Sequence, residues 1–212
     1  MGRGRHAGYD GQRELILGRA AALFARGGYP GTSMNQVAEA CGLSKATLYH
    51  YYRDKYALLV SIADGHVTRL RAVVDEALAG ASTTEGQMRA LVRRLVAEYA
   101  NAQNEHRVLT EDVKFLQPED RERVLGKERE VVAAFARVVA ALRPDLKDAA
   151  MSKPLTMLLF GMVNWMFTWM KPQGALAYGD MAPVVADLFL GGLERVQAPV
   201  KAAPLAAASP CE

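Results

Sequence analysis

The 212-residue chain is half hydrophobic and 23% charged, with a net charge of +3; this composition excludes a wholly disordered chain and suits one large domain or two small ones. Its two cysteines, Cys41 and Cys211, lie far apart, which excludes a disulfide-stapled scaffold and fits a reducing, cytoplasmic setting. Residues 1–56 hold eight Lys/Arg against four Asp/Glu, +4, whereas residues 57–212 hold 18 against 19, −1, so a small module that meets a polyanion is expected at the N-terminal end.

In chain order, residues 1–11 are basic and glycine-containing, with no apolar run behind Met1–His6. They are expected as a flexible arm rather than a secretory signal. From Gln12 to Arg26 the apolar positions Ile16, Ala20, Leu23 and Phe24 recur with helical period, and Gly27-Gly28 and Pro30-Gly31 end the run. Ser33-Met-Asn-Gln36 has capping-box spacing and starts a short second helix with Val37, Ala38 and Cys41 inward. Gly42 ends it, and Ser44 caps a third helix that runs to about Tyr52, with Leu48 and Tyr52 on its core side. Asp54 caps a long helix to about Leu78. Further helices are expected over Gln87–Ala102, Glu105–Leu116 in short turns, Pro118–Leu142, Asp148–Met170 and Ala182–Gln197. Residues 198–212 are Ala/Pro-rich and read as a disordered tail. No stretch alternates as a strand would, so the expected fold is all-α with about nine helices.

Leu155–Met170 is apolar for 16 positions, short of the roughly 20 that span a bilayer. Asn164 interrupts it, and Lys153-Pro154 and Lys171-Pro172 flank it. A helix covered by protein on all sides is the expected reading, with no membrane partner.

Two short helices joined through Cys41-Gly42-Leu43, the second polar and basic, have the form of a helix-turn-helix. The run FARGGYPGTSMNQVAEACGLSKATLYHYYRDKYALL resembles the DNA-binding domain of the tetracycline-repressor (TetR) family. Its matching features are Gly27, Thr32-Ser33, Val37-Ala38, Gly42, Leu43-Ser44, Thr47-Leu48-Tyr49, Tyr52, Asp54-Lys55 and Leu58-Leu59. The resemblance implies an N-terminal helix-turn-helix domain over 12–58 and a helical ligand-binding and dimerisation domain over 59–197. It also implies double-stranded operator DNA and a second copy of the chain as partners. Thr32 and Ser33, opening the second helix, are candidates for a phosphate as well as for plain capping. Ser44, Lys45, Ala46 and Thr47 open the recognition helix, where the resemblance directs them at base edges and backbone; Lys45 has the reach for guanine O6/N7. Tyr49 and His50 resemble positions used for backbone and thymine contact, and Lys55 resembles a phosphate-binding lysine. Gly2-Arg3-Gly4-Arg5 reads either as a minor-groove arm or as a tail with general attraction to DNA.

The remaining three-quarters is less specific. Phe160–Met170 carries Trp165 and Trp169 four apart, with Gly161 on the same row. By the resemblance this penultimate helix faces a pocket on one side and the partner subunit on the other. In the last helix Val185, Leu188, Phe189 and Gly192 form the expected dimer stripe, which would complete a four-helix dimer core. FGMxNWxxxW and TEDVKFLxPEDRxRV resemble the branch of the family that responds to CoA thioesters. Such a ligand needs an apolar tunnel and cations at its mouth. Tyr99, Phe115, Phe160, Met162, Asn164, Trp165 and Trp169 are candidates for the first, and Arg89 and Arg93, with Arg94, for the second. A drug or flavonoid sensor controlling an efflux system is the alternative, needing no basic mouth.

Histidines 6, 50, 66 and 106 are scattered, without HExxH spacing, and no GxGxxG, Walker or GxSxG motif is present. No catalytic residue, metal site or cofactor is therefore expected. An all-α acyl-CoA-binding enzyme and a purely architectural DNA binder are the competing classes.

Overall fold

The computed structural model describes residues 3–146, 150–170 and 174–198. Among these there are nine α-helices and no strand: α1 (Arg3–Gly27), α2 (Met34–Ala40), α3 (Lys45–Tyr51), α4 (Lys55–Ala79), α5 (Thr84–Asn101), α6 (Gln103–Asp112), α7 (Pro118–Leu142), α8 (Ser152–Trp169) and α9 (Tyr178–Leu193), with 3-10 turns at Val113–Phe115 and Pro144–Leu146. The all-α expectation stands. No helix among the described residues is long and apolar enough to cross a membrane.

Local chemistry sets most of the boundaries. The Ser33 side chain accepts from Gln36 N while the Ser33 N–H donates to Gln36 Oε1 at 2.8 Å, a complete capping box on α2. Ser44 caps α3 through Thr47 N, and Asp54 caps α4 through Ala57 N at 2.7 Å. Pro118 opens α7, where its missing N–H costs nothing. Gly42 holds φ +65 between α2 and α3, a conformation that favours glycine. At Gly31 a Cβ would meet the Gly27 carbonyl oxygen at 2.7 Å. Asp54→Ala should cost about 1 kcal/mol of stability through the lost cap, read as a lower urea midpoint; an unchanged midpoint would remove the cap from this account.

Several boundaries differ from the sequence expectation, three of them instructively. α1 starts at Arg3 instead of Gln12, so residues 3–11, expected as an arm, are helical. Gly8 and Gly11 weaken that segment, but Tyr9 stacks on Tyr51 with ring centroids 4.8 Å apart, and Arg13 Nε donates to the Tyr52 hydroxyl at 3.4 Å. These tertiary contacts supply what propensity lacks. α8 begins at Ser152, with Pro154 in its first turn; the expected start at Asp148 lies outside the described residues. α9 runs over Tyr178–Leu193 instead of Ala182–Gln197, with Pro183 inside it. The Ala177 N–H donates to Asp180 Oδ2 at 2.8 Å and fixes the earlier start. Most of the expected tail, 199–212, also lies outside the described residues.

Packing joins two groups of helices into one continuous core. Ile16, Ala20 and Phe24 of α1, Val37 and Ala38 of α2, Leu48 of α3 and Leu58, Leu59 and Ile62 of α4 bury one another at the N-terminal end. Each large side chain among them contributes about 1.5–3 kcal/mol by leaving water. Further along, α4 adds Val67, Leu70 and Val74 to a second group with Leu91 and Leu95 of α5, Phe135 and Val138 of α7, Leu159 and Val163 of α8 and Val185 and Phe189 of α9. Polar bonds fix α7 on α4: the Tyr56 hydroxyl donates to Asp120 Oδ2 at 2.6 Å and accepts from Gln117 N at 2.9 Å, and Lys127 Nζ reaches Asp64 Oδ1 at 2.7 Å.

Candidate functional site

α3 is held by one buried side chain, Leu48, together with Tyr52 just past its end. That leaves Ser44, Lys45, Ala46, Thr47, Tyr49 and His50 exposed on one polar surface. The Ser44 and Thr47 hydroxyls lie 2.8 Å apart, and Lys45 Nζ stands 5.9 Å from the Tyr49 ring centre. A shallow groove of about 470 Å3 runs beside them, lined by Thr32, Ser33, Asn35, Lys45, Tyr49 and Lys55 among others. The proposed DNA-contacting residues thus sit on one side of the molecule, with two differences of role. Thr32 is buried, and its hydroxyl donates to Gly28 O at 3.0 Å, so it ties the α1–α2 turn. Lys55 Nζ donates to Tyr29 O at 2.7 Å and Pro30 O at 3.2 Å and lies 4.4 Å from the Tyr29 ring centre. Its charge borders the groove, but two of its protons already clamp that same turn.

On another face, α1, α6 and α8 enclose a cleft of about 760 Å3. Ala22, Ala25 and Arg26 come from α1, Gln103, Asn104, His106, Arg107, Thr110 and Glu111 from α6, and Asn164, Phe167 and Thr168 from α8. Arg107 Nε donates to Glu111 Oε1 at 2.9 Å. Behind His106 lies a buried aromatic and imidazole group. Tyr99 stacks on the His106 ring with centroids 3.8 Å apart, and His66 Nε2 is 3.3 Å from His106 Nδ1. His66 is 0% exposed, and its Nδ1 has no hydrogen-bond partner among the described residues. Burial, with the charges of His106 and Arg69, pushes His66 down to about 3; burial pushes His106 down to about 4. Both rings are neutral at pH 7. Burial and the nearby Glu128 carboxylate raise the Tyr99 hydroxyl well above its ordinary value, and burial raises Glu128 itself.

Of the ligand candidates read from the sequence, Asn164 alone lines this cleft. Tyr99 is buried behind His106. Phe160 packs edge-on against Phe135 in the core, with centroids 5.0 Å apart, and Met162 is half-buried against that core. Phe115 lies at 5.5 Å from Tyr29, under the α1–α2 turn. Trp165 and Trp169 point outward, 67% and 54% exposed. Arg89 is on α5, paired with Glu85 and with Asp187 of α9; Arg93 is exposed on the same helix, and Arg94 pairs with Glu76. The cations at the cleft are instead Arg26 and Arg107. Phe167 and the His66–His106 pair are the residues the sequence reading missed; two histidines 40 positions apart carry no local signature.

The expected dimer stripe also divides. Val185 and Phe189 face the core, while Leu188 is 65% exposed and Gly192 is exposed. In a helix apolar on every side, spacing does not say which row a neighbour covers. The outward row of α9 is Val184, Leu188 and Gly191, and that of α8 is Met157, Leu158, Gly161, Trp165 and Trp169. Among the described residues, nothing beyond the helix's own backbone and adjacent residues would lie within 4 Å of a Cβ at Gly161, Gly191 or Gly192.

Known proteins share this arrangement. Residues 16–62 match the family described as bacterial regulatory proteins, tetR family, and residues 81–193 match the tetracyclin repressor-like, C-terminal domain. A solved TetR-family transcriptional regulator from Bordetella parapertussis 12822 superposes with a TM-score of 0.81 at 33% identity, over 88% of this chain and 98% of that one. The HTH-type transcriptional repressor KstR2 of Rhodococcus jostii (strain RHA1) is 24% identical over 193 residues, 88% of this chain and 93% of the repressor. AibR, solved in complex with isovaleryl coenzyme A and operator DNA, has the same fold with a TM-score of 0.71 at 23% identity, over 84% of this chain and 97% of AibR.

Proposed function

Because the chain belongs to the tetracycline-repressor family, and is a DNA-binding regulator and not an enzyme, we propose that it is a repressor that holds a palindromic operator as a homodimer and leaves it when a small effector binds. The observation that carries this reading is the presentation of α3: a short helix anchored by Leu48 and Tyr52, with Lys45, Ala46, Thr47, Tyr49 and His50 outward. Such a helix enters a major groove, Lys45 at a guanine edge and Tyr49 at the sugar-phosphate backbone. One reading helix per chain covers about half a site, and a two-fold dimer supplies the other half about one helical turn, roughly 34 Å, away. The outward apolar rows of α8 and α9 are the surfaces that would meet in that dimer. KstR2 is a repressor by name, which supports the same sign of control.

For the effector, the proposal is an acyl thioester of coenzyme A. Its support is the size of the α1–α6–α8 cleft, the guanidinium groups of Arg26 and Arg107 there, and the fold shared with AibR, solved with isovaleryl coenzyme A. Guanidinium forks match phosphate oxygens, and Phe167 offers apolar contact to an acyl group.

Selection from random duplexes should enrich a two-fold symmetric site. Lys45→Ala should relax preference at one base pair of each half-site, by about 1–3 kcal/mol of discrimination. Lys55→Ala should weaken operator and unrelated DNA about equally and flatten the salt dependence by about one unit. Enrichment no better than random, by a folded protein, would remove the reading.

A further inference from the structure

The effector's chemistry can be narrowed by the buried imidazole pair. His66 belongs to α4, the helix that continues from the DNA-reading end, and His106 belongs to α6, which packs on both α4 and α1. Their one mutual hydrogen bond, Nε2 to Nδ1 at 3.3 Å, leaves two nitrogens over. His66 Nδ1 is sealed in and has no partner among the described residues. The remaining nitrogen is Nε2 of His106, on a ring that lines the cleft.

The tautomers follow from where the orphan lies. If His66 carried its proton on Nδ1, a buried N–H would have no acceptor. Orphaned buried N–H groups are rare in proteins, and the other tautomer leaves only one lone pair of Nδ1 unused. His66 therefore keeps its proton on Nε2 and donates to His106 Nδ1. That bond fixes His106 as the Nε2–H tautomer, since in a neutral imidazole one nitrogen donates and the other accepts. The cleft is thus offered a neutral, oriented N–H donor, backed by a second imidazole and by the Tyr99 ring.

We propose that His106 Nε2–H is the effector-reading group of this protein, taking a carbonyl or carboxylate oxygen of the ligand, and that His66 is the positioning residue that holds the proton there. The inference rests on the reading of the chain as an effector-controlled regulator and adds what that effector must carry: an sp2 oxygen beside an apolar group. A coenzyme A thioester meets this with its acyl carbonyl at His106, the acyl chain against Phe167 and the alanines 22 and 25 of α1, and its phosphates on Arg26 and Arg107. An alkylammonium or a plain hydrocarbon does not meet it. A ligand seated there touches α1 and α6 directly, and through the His106–His66 bond it is coupled to α4, which continues from the reading head.

The test compares isovaleryl-CoA with its thioether analogue, isopentyl-CoA, which lacks only the carbonyl oxygen, on the full chain and on His106→Phe, by calorimetry and by release from the selected operator. Binding of the thioester at least tenfold tighter than the thioether by wild type, with the difference gone in His106→Phe, is the expected result; equal binding by wild type overturns the proposal. His66→Phe should reduce the same preference while leaving contacts with the rest of the ligand, and its imidazole nitrogen spectrum should show His106 losing its single tautomer. A retained single Nε2–H tautomer overturns the positioning role. Should neither CoA compound bind, free isovalerate, phenylacetate, a ketone and an alkylammonium of matched size are titrated while the His106 nitrogen signals are followed. A shift with the oxygen-bearing probes alone, lost in His106→Phe, retains the imidazole assignment and removes the CoA reading. No shift with any of them at millimolar concentration, or an operator-releasing probe without an acceptor oxygen, overturns the assignment itself.

Discussion

Replacing Leu158 and Leu188 with glutamate is expected to yield a folded monomer that binds operator at least 100-fold more weakly than wild type. Both leucines are exposed in the protomer, at 66% and 65%. The double change therefore removes few contacts within one chain, and surface changes of this kind usually stay within about 0.5 kcal/mol. In the dimer each substitution appears twice by symmetry, and unpaired carboxylates would be carried into an apolar contact, where burying a charge without a partner costs several kcal/mol. Separate reading heads also lose the effective concentration that tethering supplies, a factor on the order of 10²–10⁴. Sedimentation equilibrium at micromolar concentration and operator titration read the two effects independently. A double variant that stays dimeric would move the interface off the α8 and α9 rows.

The second large effect is a loss of stability in mild acid. Unfolded histidine binds its proton near pH 6.5, whereas folded His66 and His106 hold theirs only at about 3 and about 4. Between those values the unfolded chain carries more protons, so stability is fully present above pH 6.5 and falls as the pH falls. From pH 7 to pH 5 the loss is about 2 kcal/mol for each ring, by the linkage relation. The neighbouring groups act in both directions. The Arg69 charge further disfavours a proton on His66, and Tyr99 titrates far above the window. Glu128 of α7, raised by burial, acts in the opposite direction as it takes up a proton. Urea unfolding of wild type and His66→Gln at pH 7 and pH 5 tests the assignment: the variant should lose about half as much as wild type. Equal losses would place the acid sensitivity elsewhere.

What could be read from the sequence follows the range of the forces involved. The helix-turn-helix was legible because its determinants act over three or four residues: Ser33 with Gln36, Ser44 with Thr47, Asp54 with Ala57, and Gly42 alone. The first turns of α1 were not, because they depend on Tyr9 meeting Tyr51, a contact between elements. The apolar run starts α9 four residues late, because Asp180, which caps its start, lies ahead of that run. Pro183 then removes one interior hydrogen bond without ending the helix. Its missing donor would have met the carbonyl of Gly179, an exposed residue at which water can serve. In α8 and α9 the apolar spacing identified helices but not their neighbours. The resemblance directs Trp165 and Trp169 at a pocket although they face outward, and the stripe directs Val185 and Phe189 at an interface although they face the core. His66 and His106 meet only through the packing of α6 on α4.

α4 has a consequence for how such a protein can be recombined. Its single run from Lys55 to Ala79 crosses the end of the matched N-terminal region at residue 62, and it contributes Leu58, Leu59 and Ile62 to one group of side chains and Val67, Leu70 and Val74 to the other. A chimera joining this effector half to a foreign reading head must therefore be spliced inside a helix, in register. One inserted residue turns the head by about 100° and lifts it by about 1.5 Å, and by symmetry it does so in both protomers, enough to aim each α3 away from the groove it would read. Seven inserted residues come within about 20° of whole turns but move the head roughly 10 Å along the axis. Interchange of parts is thus limited to homologous exchange at matched positions, and operator spacing becomes a property inherited through the phase of one helix.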